Sequence, residues 1–129
     1  MEIGDTTPAA LLIVNHWLDA LETGDPDKVV GMYDEKSCVL VPTFSNDPLR
    51  GREAIREYFV DFIGNHPGLR GEVHEEINQN LGEGRRSISG HYTFFWDGGG
   101  KQDARFTFVV VETNGVWDIH THHSSANPE

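Results

Sequence analysis

Cysteine and basic residues are scarce in this sequence. Its single cysteine, Cys38, excludes an internal disulfide bond and is consistent with a reducing compartment. Cys38 lies in an apolar run, which favours a small buried side chain over a reactive thiol. Ten Lys and Arg stand against 21 Asp and Glu, so the formal net charge is −11. Because nucleic acids and anionic membranes are bound through basic surfaces, we expect neither as a partner.

Long hydrophobic runs are also absent. No apolar segment approaches the roughly 20 residues that span a bilayer, and the segment Met1–Asp5 has no basic region typical of a secretory signal. We therefore expect a cytoplasmic protein. The 129 residues are 37% hydrophobic and include seven Phe, three Trp and three Tyr. This composition predicts one globular domain over residues 1–129.

The N-terminal half has the spacing of helices. Thr7–Pro8 combines a capping residue with a proline suited to the first helical position, and apolar residues then recur at helical spacing as far as Gly24. Asp25–Pro26 starts a second, short helix by the same rule. A strand is predicted at 37–42, followed by a polar loop, and a third helix at 52–63.

The C-terminal half has the pattern of strands separated by glycine-containing turns. The predicted strands are 70–80, 85–97, 103–113 and 116–124. Asn114–Gly115 is the sharpest hairpin signal. The order of elements predicts an α+β fold, in which N-terminal helices pack on a curved, mostly antiparallel sheet. Such a sheet leaves a hollow beneath the helices, which is a natural place for a small-molecule site.

Three segments, in the same order along the chain, resemble one superfamily. His16–Asp25 resembles its first-helix signature, with aromatic, Ala-Leu and Gly-Asp positions, and Arg50–Phe59 resembles its Gly-x-x-x-Ile-x-x-Tyr/Phe-Phe helix. Gly115–Pro128 resembles its last strand. These segments are similar to the nuclear-transport-factor-2-like superfamily, which has a cystatin-like, cone-shaped α+β fold. The resemblance implies the fold and a pocket, but it does not imply a particular reaction.

The ending of the chain resembles two branches of that superfamily. One is the association domain of calmodulin-dependent protein kinase II, which ends Trp-x-Ile-x-x-x-His-x-Ser and forms an oligomeric hub with a small-carboxylate pocket. Here the pattern falls on Trp117, Ile119, His123 and Ser125, although the sequence contains no kinase motif. The other branch comprises bacterial SnoaL-like proteins, some of which are found with polyketide or enediyne biosynthesis.

The ketosteroid isomerases of the same fold provide a direct comparison. Their chemistry uses a carboxylate base before a proline, together with a tyrosine and a protonated aspartic acid. The corresponding positions of this sequence are Val41, Trp17 and a position near Thr107. None of the three required groups is present. The resemblance therefore disfavours steroid isomerisation by that machinery.

His123 is the candidate catalytic residue. On a regular strand it shares a face with Trp117 and Ile119, whose bulk favours the core, so we expect His123 to face inward. An inward histidine near the end of a curved sheet suits proton transfer as an acid or a base. A hydrogen-bonded core histidine without a catalytic role is the alternative interpretation.

Two further polar residues on the predicted strands are candidate ligand-binding residues. His91 falls where the hub relatives have an arginine, and a neutral histidine weakens any carboxylate clamp, so the sequence allows a carboxylate ligand but does not imply one. Arg105 is either an anion anchor in the pocket or part of an interface ion pair. His120 and His122 have a spacing that can ligate zinc, but no third ligand is identified, and we predict no metal site. The alternative interpretation places both histidines on the surface or at an interface.

The remaining candidate ligand-binding residues come from a loop, two helices and the last strand. Thr43 and Ser45 follow a strand end, although the alternative role of this loop is its own turn chemistry. Trp17 and Tyr58 face the sheet, and core packing is the alternative for both. Ser125 completes the set, since it matches the serine of the hub-like ending.

The sequence thus favours a small-molecule-binding, SnoaL-like domain that needs no cofactor. Its hypothetical activity is isomerisation, cyclisation or dehydration of a carbonyl, polyketide-like compound, with His123 transferring the proton. The alternative is a non-catalytic oligomerisation or ligand-binding module that resembles the kinase association domain. The strand 103–113 is apolar on both faces. We therefore expect one face of the sheet to form a homodimer interface.

Overall fold

The computed structural model describes residues 7–128, and its elements follow the predicted order. The helices are α1 (Thr7–Leu11), α2 (Ile13–Glu22), α3 (Pro26–Val30) and α4 (Gly51–Gly64). The strands are β1 (Val39–Val41), β2 (Leu49–Arg50), β3 (Arg70–Gly82), β4 (Arg85–Trp96), β5 (Gly100–Thr113) and β6 (Val116–Ala126). The α+β class is confirmed. No helix of this part of the chain is both long and apolar enough to cross a membrane.

The helices follow local signals, with one interruption. The first predicted helix is divided at Leu12 into α1 and α2, and α2 buries the residues of its apolar stripe, among them Trp17. The start of α3 is capped as predicted, because the Asp25 carboxylate accepts a hydrogen bond of 2.9 Å from the Asp27 amide. Pro26 occupies the first turn of that helix.

The six strands form one sheet in the order β2-β1-β6-β5-β4-β3. Neighbouring strands are antiparallel except β1 and β6, which run parallel. The strand β2 lies inside the predicted loop and was missed, because a two-residue strand has no periodicity to detect. The turn at Asn114–Gly115 is formed as predicted, with positive φ at both residues.

The inner face of the sheet packs on the helices, and its large side chains form the core. From β4, β5 and β6 this face carries Ile88, Tyr92, Phe94, Phe106, Phe108, Val110, Ile119 and His122. Gly90 lies in the same row and cannot carry a side chain, because an added Cβ would lie 1.7 Å from the Glu75 carbonyl oxygen. The outer face, which points away from the helices, carries the alternate residues of these strands.

A β-bulge interrupts the pairing of β5 with β6. Val110 pairs with Ile119, but the next residue, Val109, pairs with Thr121, so His120 is an extra residue in β6. A single extra residue resets the alternation of faces along the rest of the strand. Ile119 and His122 therefore both face the helices, although they are three positions apart.

A buried histidine and a small cavity

His122 lies at the centre of the core and is only 1% exposed. Its Nδ1 lies 2.8 Å from the Tyr33 hydroxyl, and its Nε2 lies 3.1 Å from the Tyr92 hydroxyl. The Phe108 ring stacks on the imidazole with a centroid distance of 3.9 Å. Both ring nitrogens are thus hydrogen-bonded, which offsets the cost of burying a polar ring among aromatic side chains.

Helix packing and an arginine position the side chains on the Nδ1 side of His122. Trp17, from α2, donates a hydrogen bond from its indole nitrogen to the Tyr33 hydroxyl at 3.2 Å. Tyr33 follows α3 and forms an isolated bridge with Ile119 of β6. Its carbonyl oxygen accepts bonds of 2.8 and 3.0 Å from the guanidinium of Arg52, which holds the backbone in place.

Hydroxyl groups continue the network on the Nε2 side. The Tyr92 hydroxyl donates to Ser124 Oγ at 2.6 Å, and the Ser124 hydroxyl is hydrogen-bonded to that of Thr43. Ser124 is buried because it lies two residues after His122, on the same face of β6. Thr43 comes from the loop that follows β1. The network therefore connects α2 with that loop through the interior of the protein.

These hydrogen bonds fix the direction of the network and the tautomer of His122. The indole nitrogen of Trp17 can only donate, and the Tyr92 proton is used on Ser124. Tyr92 must then accept from His122, so the neutral imidazole carries its proton on Nε2. Its Nδ1 accepts a hydrogen bond from the Tyr33 hydroxyl. Every bond from Trp17 to Ser124 thus points the same way, an arrangement in which neighbouring bonds polarise one another.

The network borders a small cavity with aromatic walls. Its lining residues are Trp17, Leu40, Pro42, Thr43, Tyr58, Phe59, Phe62, Tyr92, Phe94, His122 and Ser124. The cavity volume is only about 10 Å³. This leaves room for about one ordered water. The cavity is below the size of most ligand pockets, which begin near roughly 300 Å³.

The titratable groups of the cavity are neutral near pH 7. Burial lowers the pKa of His122 to about 3, and the neighbouring His123 adds to the effect. Burial also raises the pKa of Tyr58 to about 12, and it raises the pKa of Tyr33 and of Tyr92. Within the described part of the chain, the residues that line the cavity include no Asp, Glu, Lys or Arg. The cavity is polar at one wall but carries no formal charge.

The inward orientation predicted for His123 is wrong. His123 is exposed and pairs with Thr107 on the outer face, while His122 takes the inward position. The physical reason is the bulge at His120, which shifts the alternation by one residue. Proton transfer inside the cavity by His123 thereby loses its structural basis.

The predicted pocket positions of His91 and Ser125 are also wrong, and of the two roles considered for Arg105 the structure excludes the pocket anchor. His91 pairs with Arg105, and Arg105 pairs with Ser125, so all three lie in one row on the outer face. The inner positions of these strands are taken by larger aromatic side chains such as Tyr92 and Phe106, which gain more from burial. Ser125 Oγ is buried without a hydrogen-bond partner among residues 7–128.

The predicted positions of Trp17, Thr43 and Tyr58 agree with the structure, because all three line the cavity. Their binding of a ligand stays a prediction. Ser45 does not line the cavity. It lies in a separate, open groove between its loop and α4, and Tyr58 lines both this groove and the cavity. Tyr33, Tyr92 and Ser124 were not predicted as site residues. The exposed or interface position expected for His122 is wrong, because the bulge at His120 turns His122 into the core.

The outer face carries its own hydrogen-bond network. Thr93 is only 1% exposed, and its hydroxyl donates to Asp103 at 2.6 Å and lies 2.7 Å from His74 Nε2. The bond from Thr93 lowers the pKa of Asp103, with a smaller contribution from Lys101. Within the described range of the chain, no group of three or more His, Cys, Asp or Glu residues is placed to bind a metal ion.

The sheet, the helices and the cavity define a nuclear-transport-factor-2-like, cystatin-like cone. Residues 9–128 match the calcium/calmodulin dependent protein kinase II association domain family, and the chain belongs to this family. The suspected relationship is thereby confirmed. No curated protein matches the sequence.

Solved structures support the same fold. A protein from Xanthomonas campestris, named as an association domain of this kinase type, has 34% identity and a TM-score of 0.87 over 98% of this chain and 91% of its own. An uncharacterised cystatin-like protein from Caulobacter vibrioides has 17% identity and a TM-score of 0.79, covering 97% and 92%. A Streptomyces avermitilis protein, named as an NTF2-like dehydratase, has 15% identity and a TM-score of 0.78, covering 93% and 94%.

Proposed function

We propose that this chain is a ligand-binding association domain, in which the cavity binds a small molecule and the outer sheet face pairs two copies. The observation that carries the proposal is the hydrogen-bonded network from Trp17 to Thr43 at the cavity wall. Apolar side chains of similar size would fill this core without requiring five matched hydrogen bonds. A polar wall kept at such a position is better suited to contacting a ligand than to packing alone.

The pairing of two copies is proposed for the outer face of β5. Thr107, Val109 and Val111 lie there, half-buried, while the helices pack on the opposite face of the sheet. The adjacent row of this face runs across three strands, from Glu75 of β3 through its partner His91 of β4 to Arg105 of β5. In a two-fold arrangement Arg105 of one copy can face Glu75 of the second, so the row offers charge complementarity. The family name, an association domain, supports the same proposal.

A second candidate function is cofactor-free acid–base catalysis, such as dehydration of a carbonyl compound. The observation in its favour is an imidazole held between two tyrosine hydroxyls at a cavity. Against it stands the low pKa of His122, near 3, which makes it a poor base at pH 7. The dehydratase named among the similar structures shares the fold only, since its identity is 15%. We therefore prefer ligand binding without turnover.

Native mass spectrometry of gently purified protein tests ligand binding. We expect an assembly of two or more copies that carries a discrete small adduct. The paired variant Thr43→Val with Ser124→Ala should lose the adduct, because it removes the two hydroxyls at the end of the network. His123→Ala is the matched control on the outer face and should keep it. An adduct that survives the cavity substitutions would contradict the proposal.

Light scattering coupled to size-exclusion chromatography tests the interface separately. Val109→Glu places a charge in the proposed contact and should reduce the assembly to monomers. Val60→Glu is the control, since Val60 is an exposed residue of α4 on the opposite side of the molecule. If the first variant retains the mass of the wild type, the outer face is not the interface.

A further inference from the structure

The hydroxyl protons at the cavity wall can be counted. Tyr92 donates its hydroxyl hydrogen bond to Ser124, so the hydroxyl protons of Ser124 and Thr43 are both still available for hydrogen bonding. Their mutual hydrogen bond uses one of these, whichever residue donates. The other proton has no partner within the network. The wall therefore presents one spare donor, at the end of a chain of aligned bonds that strengthens it.

The cavity gives a charged ligand nothing to pair with. All eleven of its lining residues are uncharged, and His122 stays neutral well below pH 7. A carboxylate or an ammonium ion brought into such surroundings loses its hydration without gaining an ion pair, which is strongly unfavourable. The net charge of −11 adds a repulsive field for anions.

The basic groups near the cavity are committed elsewhere or lie on the wrong side. Arg52 uses its Nε and a terminal nitrogen on the carbonyl oxygens of Tyr33 and Gly31. Arg105 is on the outer face, with the sheet between it and the cavity. Neither is available to neutralise a carboxylate that enters between the aromatic walls.

Size restricts the ligand further. The cavity volume of about 10 Å³ holds about one water, so even a compact ligand enters only if wall residues move. The Tyr58 hydroxyl is held only by a long hydrogen bond of 3.4 Å from the Phe44 amide. Aromatic walls at Trp17, Phe62 and Phe94 favour a flat or ring-shaped ligand body.

We infer that the cavity selects compact, uncharged ligands carrying a hydrogen-bond-accepting oxygen, such as a carbonyl or an amide, and that the spare proton of the Thr43–Ser124 pair binds this oxygen. The inference rests on the proposed ligand-binding function. It differs from the small-carboxylate pocket that the resemblance to the kinase association domain implies. Here the ligand is recognised by a polarised hydroxyl instead of a cation.

Three probes with the same ring and different charge provide the test: benzamide, benzoate and benzylammonium at pH 7. Binding is followed by the indole N–H signal of Trp17 in ¹⁵N-labelled protein, assigned with Trp96→Phe and Trp117→Phe. We expect benzamide to bind at least tenfold more tightly than either ion. Thr43→Val should weaken benzamide binding by about three- to tenfold, the value of one hydrogen bond, while Thr43→Ser retains it.

A pH titration gives an independent readout that needs no variant. Between pH 7 and pH 5 the neutral fraction of benzoic acid rises about one hundredfold, so its apparent affinity should rise by a similar factor while that of benzamide stays constant. Benzoate binding as tight as benzamide binding at pH 7 overturns the inference. If native mass spectrometry finds an adduct but no probe shifts Trp17, the inference fails and the proposed function stands. With no adduct and no shift, both fail.

Discussion

Acid should destabilise this protein through His122, and the sign and size of the effect follow from its burial. In the folded protein the pKa of His122 is about 3, whereas an unfolded histidine titrates near its ordinary value of 6.5. Below pH 6.5 the unfolded state therefore binds a proton that the folded state does not. The stabilising contribution is complete above pH 6.5 and is lost progressively as the pH falls towards 3.

The magnitude is about 1.4 kcal/mol for each pH unit within that window. Between pH 7 and pH 4, His122 should thus cost the folded state roughly 3 kcal/mol. Small domains are stable by only about 5–15 kcal/mol, so the loss is a large share of the total. The carboxylates Asp27 and Asp103, whose pKa values are lowered in the folded state, add to the acid sensitivity.

Urea unfolding at pH 4, 5, 6 and 7, at constant ionic strength, measures the effect. His122→Gln removes the titrating ring, so its stability should fall less steeply with acid than that of the wild type. The carboxylate contributions cancel in the difference. His123→Gln, which removes an exposed imidazole one residue away, is the control and should keep the steep loss due to His122.

A His122→Gln variant that loses stability with acid as steeply as the wild type would refute the reasoning. Should that variant fail to fold, the wild-type protein still decides the matter through the NMR titration of the His122 ring protons. A midpoint near pH 6.5 in the folded protein would mean that water reaches the imidazole and that the hydrogen-bond network is not closed.

Three further predictions concern other parts of the fold. Gly90→Ala should lower the free energy of unfolding, measured with urea, by about 3 kcal/mol, because the added Cβ would collide with the carbonyl oxygen of Glu75. An unchanged urea midpoint would contradict the pairing of β3 with β4 at this position. Asp25→Ala should lower the free energy of unfolding by about 1 kcal/mol, because it removes the cap of α3, while Asp25→Asn should retain most of the stability. Equal losses in the two variants would argue against capping. Thr93→Val should raise the pKa of Asp103 towards its ordinary value in a carboxylate NMR titration, and Thr93→Ser should not; an unmoved pKa would exclude the hydrogen bond as its main cause.

Local sequence signals were sufficient to predict most of the fold. Caps, glycine turns and the two periodicities act over a few residues, and they gave the helices and the four long strands close to their observed bounds. The same local rules placed Trp17 and Tyr58 correctly, because helical spacing fixes which residues share a face. Thr43 was predicted correctly as a cavity residue from its position directly after a strand end.

Deciding which strand face is buried depends on competition between side chains, and local rules do not resolve it. In β5 the sequence offers one face with Phe106 and Phe108 and another with Thr107 and Val109. Both are apolar, but the phenylalanines bury more surface and take the inner face. That choice sends Arg105 outward. It also leaves Ser124, and not Ser125, beside Phe106 across the sheet.

The bulge at His120 determines which chemistry the cavity contains. The last strand includes two overlapping His-x-Ser patterns, His122 with Ser124 and His123 with Ser125, which differ by one residue in register. With unbroken alternation from Ile119, the second pair would face the helices; with one extra residue, the first pair does. Because the patterns are chemically identical, no property of the side chains distinguishes them, and only the backbone pairing with β5 selects one. The selected pair meets Tyr92 and the loop after β1, which is why the network closes around a neutral imidazole.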